Sequence, residues 1–141
     1  MHHTSRVFVV DDEPLIASTL TTILNMNGFS ADCFTDPTAA LKVPVAEMPD
    51  LLVSDVMMPQ LSGIELAIRM RDKKPNLRVL LISGQAGTTD LLEGARQQGH
   101  NFKLLEKPFP PQLLLVELGL APTPDNGPTT GHIAMAECLP R

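Results

Sequence analysis

A doubly wound α/β sandwich, with a parallel sheet between two layers of helices, is the fold this sequence predicts. Two observations carry the prediction. Five short apolar runs alternate with five segments whose apolar residues recur at helical spacing. Charged and hydroxyl residues then stand at the carboxyl ends of those runs, the edge where ligands of such sheets bind.

The first run, "RVFVV" at about 6–10, is β-branched and nearly all apolar, as a strand covered on both faces requires. Asp12-Glu13-Pro14 follows with helix-start chemistry, since a proline in the first turn has no N–H to leave unpaired. Ile16, Leu20, Ile23 and Leu24 mark the helix, and Asn27-Gly28 ends it. "FSADCF" at about 29–34 is the second strand, and Asp36-Pro37 opens a short helix that breaks near Pro44. "DLLVS" at about 50–54 is the third strand. Leu61, Ile64 and Ile68 then line a third helix that stops before Pro75. "LRVLLIS" at 77–83 and "FKLLE" at 102–106 are the last two strands. Between them a weaker helix over about 88–98 ends at Gly99, and Pro110-Pro111 starts a last helix that fades near Gly119. Strands joined through helices run parallel with right-handed crossovers.

The chain divides into a domain over 5–118 and a tail over 119–141 that is rich in Pro, Gly and Thr, lacks periodicity and is expected to be disordered. There is no internal repeat. Eleven Lys and Arg against sixteen Asp and Glu leave a formal charge of −5 among 141 residues, which argues against direct nucleic-acid binding. No apolar run approaches the roughly 18 residues that span a bilayer, and the N-terminal run has no cleavage-site pattern after it. A soluble cytoplasmic protein is expected. Cys33 and Cys138 lack metal-ligand spacing and read as two unpaired thiols.

The strand ends collect the chemistry. Asp11 and Asp12 follow the first strand, Asp55 the third, Ser83 and Gly84 close the fourth, and Lys107 follows the fifth. A lone acid at a strand end is ordinarily a helix cap or a solvated turn residue. Three acids brought to one edge repel one another and require a counter-charge. A divalent ion that prefers oxygen ligands supplies it, and with Lys107 makes the cluster neutral. One carboxylate then remains free to attack phosphorus. The Ser83 hydroxyl and the Gly84 N–H can hold phosphoryl oxygens, with Lys107 paired to another.

"VVDDEP", "LLVSDVMMPQLSG", "LLISG" and "LEKPF" resemble, in order and spacing, the motifs of the response-regulator receiver domain, over about residues 5–118. The resemblance implies a flavodoxin-like sheet of strand order 2-1-3-4-5. It implies that Asp55 accepts a phosphoryl group from the phosphohistidine of a sensor kinase or phosphotransfer protein, with Mg²⁺ as cofactor. Asp12, Asp55 and the backbone carbonyl of Met57 would ligate the ion, Asp11 through a water. Ser83 would be the switch hydroxyl, Lys107 would contact the phosphoryl group, and the Lys107–Pro108 bond would be cis. Such a domain is a switch that catalyses its own phosphorylation and dephosphorylation rather than an enzyme with a separate substrate.

Two departures stand out. The family usually has an aromatic residue three positions before the lysine, whereas this chain has Leu104. Gly94 lies inside the fourth helix, where glycine costs about 1 kcal/mol relative to alanine. Two other functions compete. A haloacid-dehalogenase-like phosphatase would carry Asp-x-Asp after the first strand and a cap insertion, and neither is present. A degenerate receiver acting only as a binding module would lack an acid or the acceptor, and all are here. With no effector domain after Gly119, output through an unidentified protein partner is expected, with a piece of a longer multidomain regulator as the alternative; a homodimer is a separate candidate assembly.

Overall fold

The computed structural model describes residues 5–84 and 88–119, with the side chains of residues 88 and 89 left aside. Its elements are β1 (Arg6–Val10), α1 (Pro14–Met26), β2 (Ser30–Phe34), α2 (Pro37–Leu41), a 3₁₀ turn (Val45–Glu47), β3 (Leu51–Asp55), α3 (Gly63–Lys73), β4 (Arg78–Ser83), α4 (Thr88–Gln97), β5 (Lys103–Glu106) and α5 (Pro111–Glu117). All four strand pairings are parallel, in the order β2-β1-β3-β4-β5. The fold and its strand order are those expected. The tail lies, apart from Gly119, outside the described residues.

Alternation along the strands divides the core in two. Phe8, Val10, Leu52 and Leu81 face one layer with Ala40 of α2, Ala67 and Met70 of α3, and Ala95 of α4. Val7, Val9, Leu51, Val53, Leu80, Ile82 and Leu105 face the other, against Ala17, Leu20 and Leu24 of α1 and Leu114 of α5. The central strands are apolar at consecutive positions because both their faces are covered.

Local chemistry sets the helix ends. Pro14 and Pro37 each occupy a first turn. Asp36 caps α2 by accepting from the Thr38 N–H at 2.9 Å. Gly28, at φ +93°, takes the left-handed conformation that ends α1, and the Phe29 N–H returns to the Leu24 carbonyl at 3.1 Å.

Three details differ from expectation. Leu61 precedes α3 rather than lying on it, because Ser62 is the cap, its hydroxyl accepting from the Glu65 N–H at 3.1 Å. The buried side chains of α3 are therefore Ile64, Leu66, Ala67 and Met70, with Ile68 only half-buried. Ser62 and Glu65 stand at capping-box spacing, a legible signal. A 3₁₀ turn follows Pro44 where no element was expected. Cys33 is disulfide-bonded, against the expectation of a free thiol. It lies half-buried on β2, an edge strand, where its sulfur is not sealed in the core.

Gly94 of α4 is exposed, and a Cβ there would meet nothing within 4 Å. Gly94→Ala should therefore raise the unfolding free energy by about 0.5–1 kcal/mol. Urea denaturation reads this, and a loss of stability would show that the position carries a contact or backbone demand beyond helix propensity.

Candidate functional site

The strand order explains which residues meet. β1 and β3 are neighbours, so the acids that follow Val10 come to lie beside Asp55 at the end of β3. β4 flanks β3 on the other side, with Asp55 opposite Ile82 and Ser83 one residue beyond. Ser83 in turn lies opposite Glu106 of β5, and the Lys107 N–H donates to the Ser83 carbonyl at 2.8 Å. One carboxylate oxygen from each of Asp11, Asp12 and Asp55 falls within a 4.8 Å group.

Lys107 closes the cluster. Its Nζ donates to Asp11 Oδ2 at 3.1 Å and to Asp55 Oδ1 at 3.5 Å. β5 is two strands from β3, roughly 10 Å, so only a long side chain lying along the sheet edge spans the gap. That stem runs beside Gly84, where an added Cβ would sit 3.5 Å from Lys107 Cβ and Cδ. The Lys107–Pro108 peptide bond at this point is cis.

The three acids are not equivalent. Asp11 is fully buried and has both oxygens engaged, Oδ1 by the Glu13 N–H at 2.9 Å and Oδ2 by Lys107. Asp55 is 9% exposed and uses only Oδ1. Among the described residues none donates to its Oδ2, and none pairs with the half-buried carboxylate of Asp12. Free oxygens thus remain on Asp12 and Asp55, whereas those of Asp11 are taken.

Burial pushes the Asp55 carboxyl up to about 6, and the neighbouring Asp11 pushes the same way, while Lys107 pulls it down. Burial likewise raises Asp11, against the Glu13 N–H and Lys107. Burial works against the charge of Lys107, but Asp11 and Asp55 outweigh it and the net shift is upward. One cation leaves three acids undercompensated. The donor set is all oxygen, which suits a hard divalent ion such as Mg²⁺.

The remaining expected residues occupy the same edge. Ser83 is buried at the tip of β4, and Gly84 is exposed just after it. Met57, 43% exposed, lies in the loop between β3 and α3, a loop closed by the Gly63 N–H donating to the Val56 carbonyl at 2.8 Å. Leu104 and Phe102 both pack on the α3 side of the sheet. Phe102 is only half-buried, with the Arg71 guanidinium 4.9 Å from its ring centre and the His100 ring parallel to it. Two further residues, Ser54 and Gly63, meet the Asp55 backbone. A serine inside the apolar run "LLVSD" was the available signal for one of them.

A five-stranded parallel sandwich with this strand order, and with acids and a lysine gathered where the order reverses, defines a phosphoacceptor class of signalling domain. The chain belongs to the response regulator receiver domain family, whose sequence profile matches residues 7–118. It is 32% identical over 103 residues to the probable transcriptional regulatory protein TcrX of Mycobacterium tuberculosis, covering 73% of this chain and 43% of that protein. It is 31% identical over 113 residues to the response regulator MprA of Mycobacterium avium, covering 80% and 49%. The chain thus spans about half the length of these relatives. Among solved structures, it resembles the signal receiver domain of an HD-domain-containing protein from Pseudomonas fluorescens, with a TM-score of 0.74 and 26% identity over 83% of this chain and 93% of that one. The BeF3-activated receiver domain of DrrB gives a TM-score of 0.70 and 25% identity over 83% and 96%. A two-component signalling domain with a phosphoacceptor fold is the outcome, and the phosphatase and binding-module readings are not favoured.

Proposed function

We propose that Asp55 is the phosphoryl acceptor of this domain, that Asp12 and Asp55 hold Mg²⁺ with the Met57 carbonyl, and that Asp11 acts through a water. The observation that carries this reading is the sorting of the acids. Asp55 Oδ2 and the Asp12 carboxylate have no donor among the described residues, while both Asp11 oxygens are engaged. Mg²⁺ bound there would neutralise charge at the acceptor and on the incoming phosphoryl group.

The chain's own groups do the rest. One Asp55 oxygen attacks phosphorus, and a new O–P bond forms as the donor's P–N bond breaks and its electron pair leaves on the imidazole nitrogen. Lys107 follows the charge from carboxylate to phosphoryl oxygen, and Ser83 with the Gly84 N–H receives another oxygen. Hydrolysis of the acyl phosphate by water at the same edge would reset the switch. The donor is a sensor histidine kinase or phosphotransfer protein, which places the reaction in the cytoplasm, and the output is a protein contact. The receiver spans 5–118 and residues 119–141 form an appended tail. Because Leu104 has no ring to swing toward a vacated space, movement of Ser83 and Gly84 transmits the change.

Intact mass after incubation with acetyl phosphate tests this reading. One phosphoryl addition that requires Mg²⁺ and disappears in chelator is expected. No addition, or one independent of the metal, would overturn it.

A further inference from the structure

Gly63 and Ser54 meet at the backbone of Asp55, and neither belongs to the acid cluster. A Cβ placed on Gly63 would fall well inside contact distance of the Asp55 carbonyl oxygen, 2.9 Å from the Asp55 carbonyl carbon and 2.9 Å from Ser54 Oγ. No real Cβ tolerates such approaches to backbone atoms, so the amino end of α3 sits on β3 only because residue 63 has no side chain. The reason is space. Gly63 does not have the left-handed backbone of Gly28, Gly99 and Gly119.

Two hydrogen bonds complete the contact. The fully buried Ser54 hydroxyl donates to the Asp55 carbonyl at 2.9 Å. The Gly63 N–H donates to the Val56 carbonyl at 2.8 Å, which closes the loop carrying Met57. Moving the start of α3 would therefore shift the last residue of β3 and reopen the Met57 loop together.

We infer that Gly63, with Ser54, is a positioning residue that fixes the Asp55 backbone and the Met57 carbonyl in the relative placement the metal site requires. The inference rests on the reading of Asp55, Asp12 and Met57 as the Mg²⁺ site. Alanine at position 63 lengthens no side chain into the cluster. It forces α3 and β3 apart, and the ligands lose their common geometry. Residues that orient metal ligands in this way typically change affinity by about 10–100-fold when altered.

The experiment is Mg²⁺ titration of the full chain, followed by NMR, for wild type, Gly63→Ala and Gly94→Ala, alongside phosphorylation by acetyl phosphate. Gly94→Ala makes the same chemical change where a Cβ meets nothing. Gly63→Ala that unfolds cooperatively should bind Mg²⁺ about tenfold or more weakly, with Gly94→Ala unchanged. In the metal-free protein, the same variant should shift the Asp55 carbonyl and Val56 amide resonances. A folded Gly63→Ala with wild-type Mg²⁺ affinity would overturn the inference. If Gly63→Ala does not fold, Ser54→Ala decides. Weakened Mg²⁺ binding with a moved Asp55 carbonyl resonance supports the positioning role, and unchanged values reject it. Wild-type protein that bound Mg²⁺ but took no phosphoryl group would sink the acceptor reading while leaving the titration to judge Gly63.

Discussion

Asp55→Asn should abolish phosphorylation and, in the absence of metal, make the protein more stable at neutral pH. Amide nitrogen and oxygen cannot replace the carboxylate as nucleophile, so the label is lost completely. The stability gain follows from the pKa. The Asp55 carboxyl titrates near 6 in the fold, raised from 3.8 by burial and by Asp11. Between those values the folded chain holds a proton that the unfolded chain has released, so stability falls as pH rises through this window. Above pH 6 the full cost of the buried charge persists. A shift of about two units corresponds to roughly 3 kcal/mol, an upper bound because Asp11 carries part of the same repulsion. The neutral isostere removes that cost while Lys107 keeps Asp11. Urea denaturation in chelator should find Asp55→Asn more stable than wild type at pH 8, with the difference shrinking below pH 4. A variant less stable than wild type at pH 8 would mean that Lys107 already compensates the cluster.

The second large effect is metal-linked. Mg²⁺ at about one hundred times its Kd should stabilise the wild-type fold at pH 7.5 by roughly 2.7 kcal/mol, because the unfolded chain has no assembled site. Proton and ion compete for Asp55, so the affinity should decline by up to about tenfold for each pH unit below 6. Asp12→Ala removes a carboxylate that has no partner among the described residues. The metal-free variant should then be at least as stable as wild type, while its Mg²⁺ affinity drops tenfold or more, about 1.4 kcal/mol. Calorimetric titration with thermal unfolding measures both quantities. Undiminished Mg²⁺ affinity in Asp12→Ala would place the ion elsewhere.

Loss of function and gain of stability in one substitution share a cause. On the proposed reading, the attacking carboxylate is held away from water and beside another acid, and both conditions strain the fold that holds it. Lys107 answers that strain only in part. Its single charge serves two buried acids, and its amine contacts both from three strands and two strands away.

Much of this was legible in the residues. Period and composition separate a strand buried on both faces from an amphipathic helix, and proline and glycine mark where each helix starts and stops. Those are local properties of the chain. Strand ends at one edge follow from parallel topology, so the sequence alone gathers Asp11, Asp12, Asp55, Ser83 and Lys107. The helical period alone starts α3 too early, because an apolar residue at position 61 fits it equally well, although Ser62 and Glu65 announce the true start.

What only the tertiary structure decided concerns distances between segments far apart in sequence. Which acid oxygens are engaged depends on the Glu13 N–H and on a lysine 96 residues from Asp11. Whether Gly63 is needed for its conformation or for its missing side chain depends on how closely α3 seats on β3. The half-burial of Phe102 depends on Arg71 reaching across from α3. Periodicity tells a side chain which face it occupies, because that is set by the backbone repeat. It does not say what stands opposite, because that is set by how two packed elements come to rest against each other.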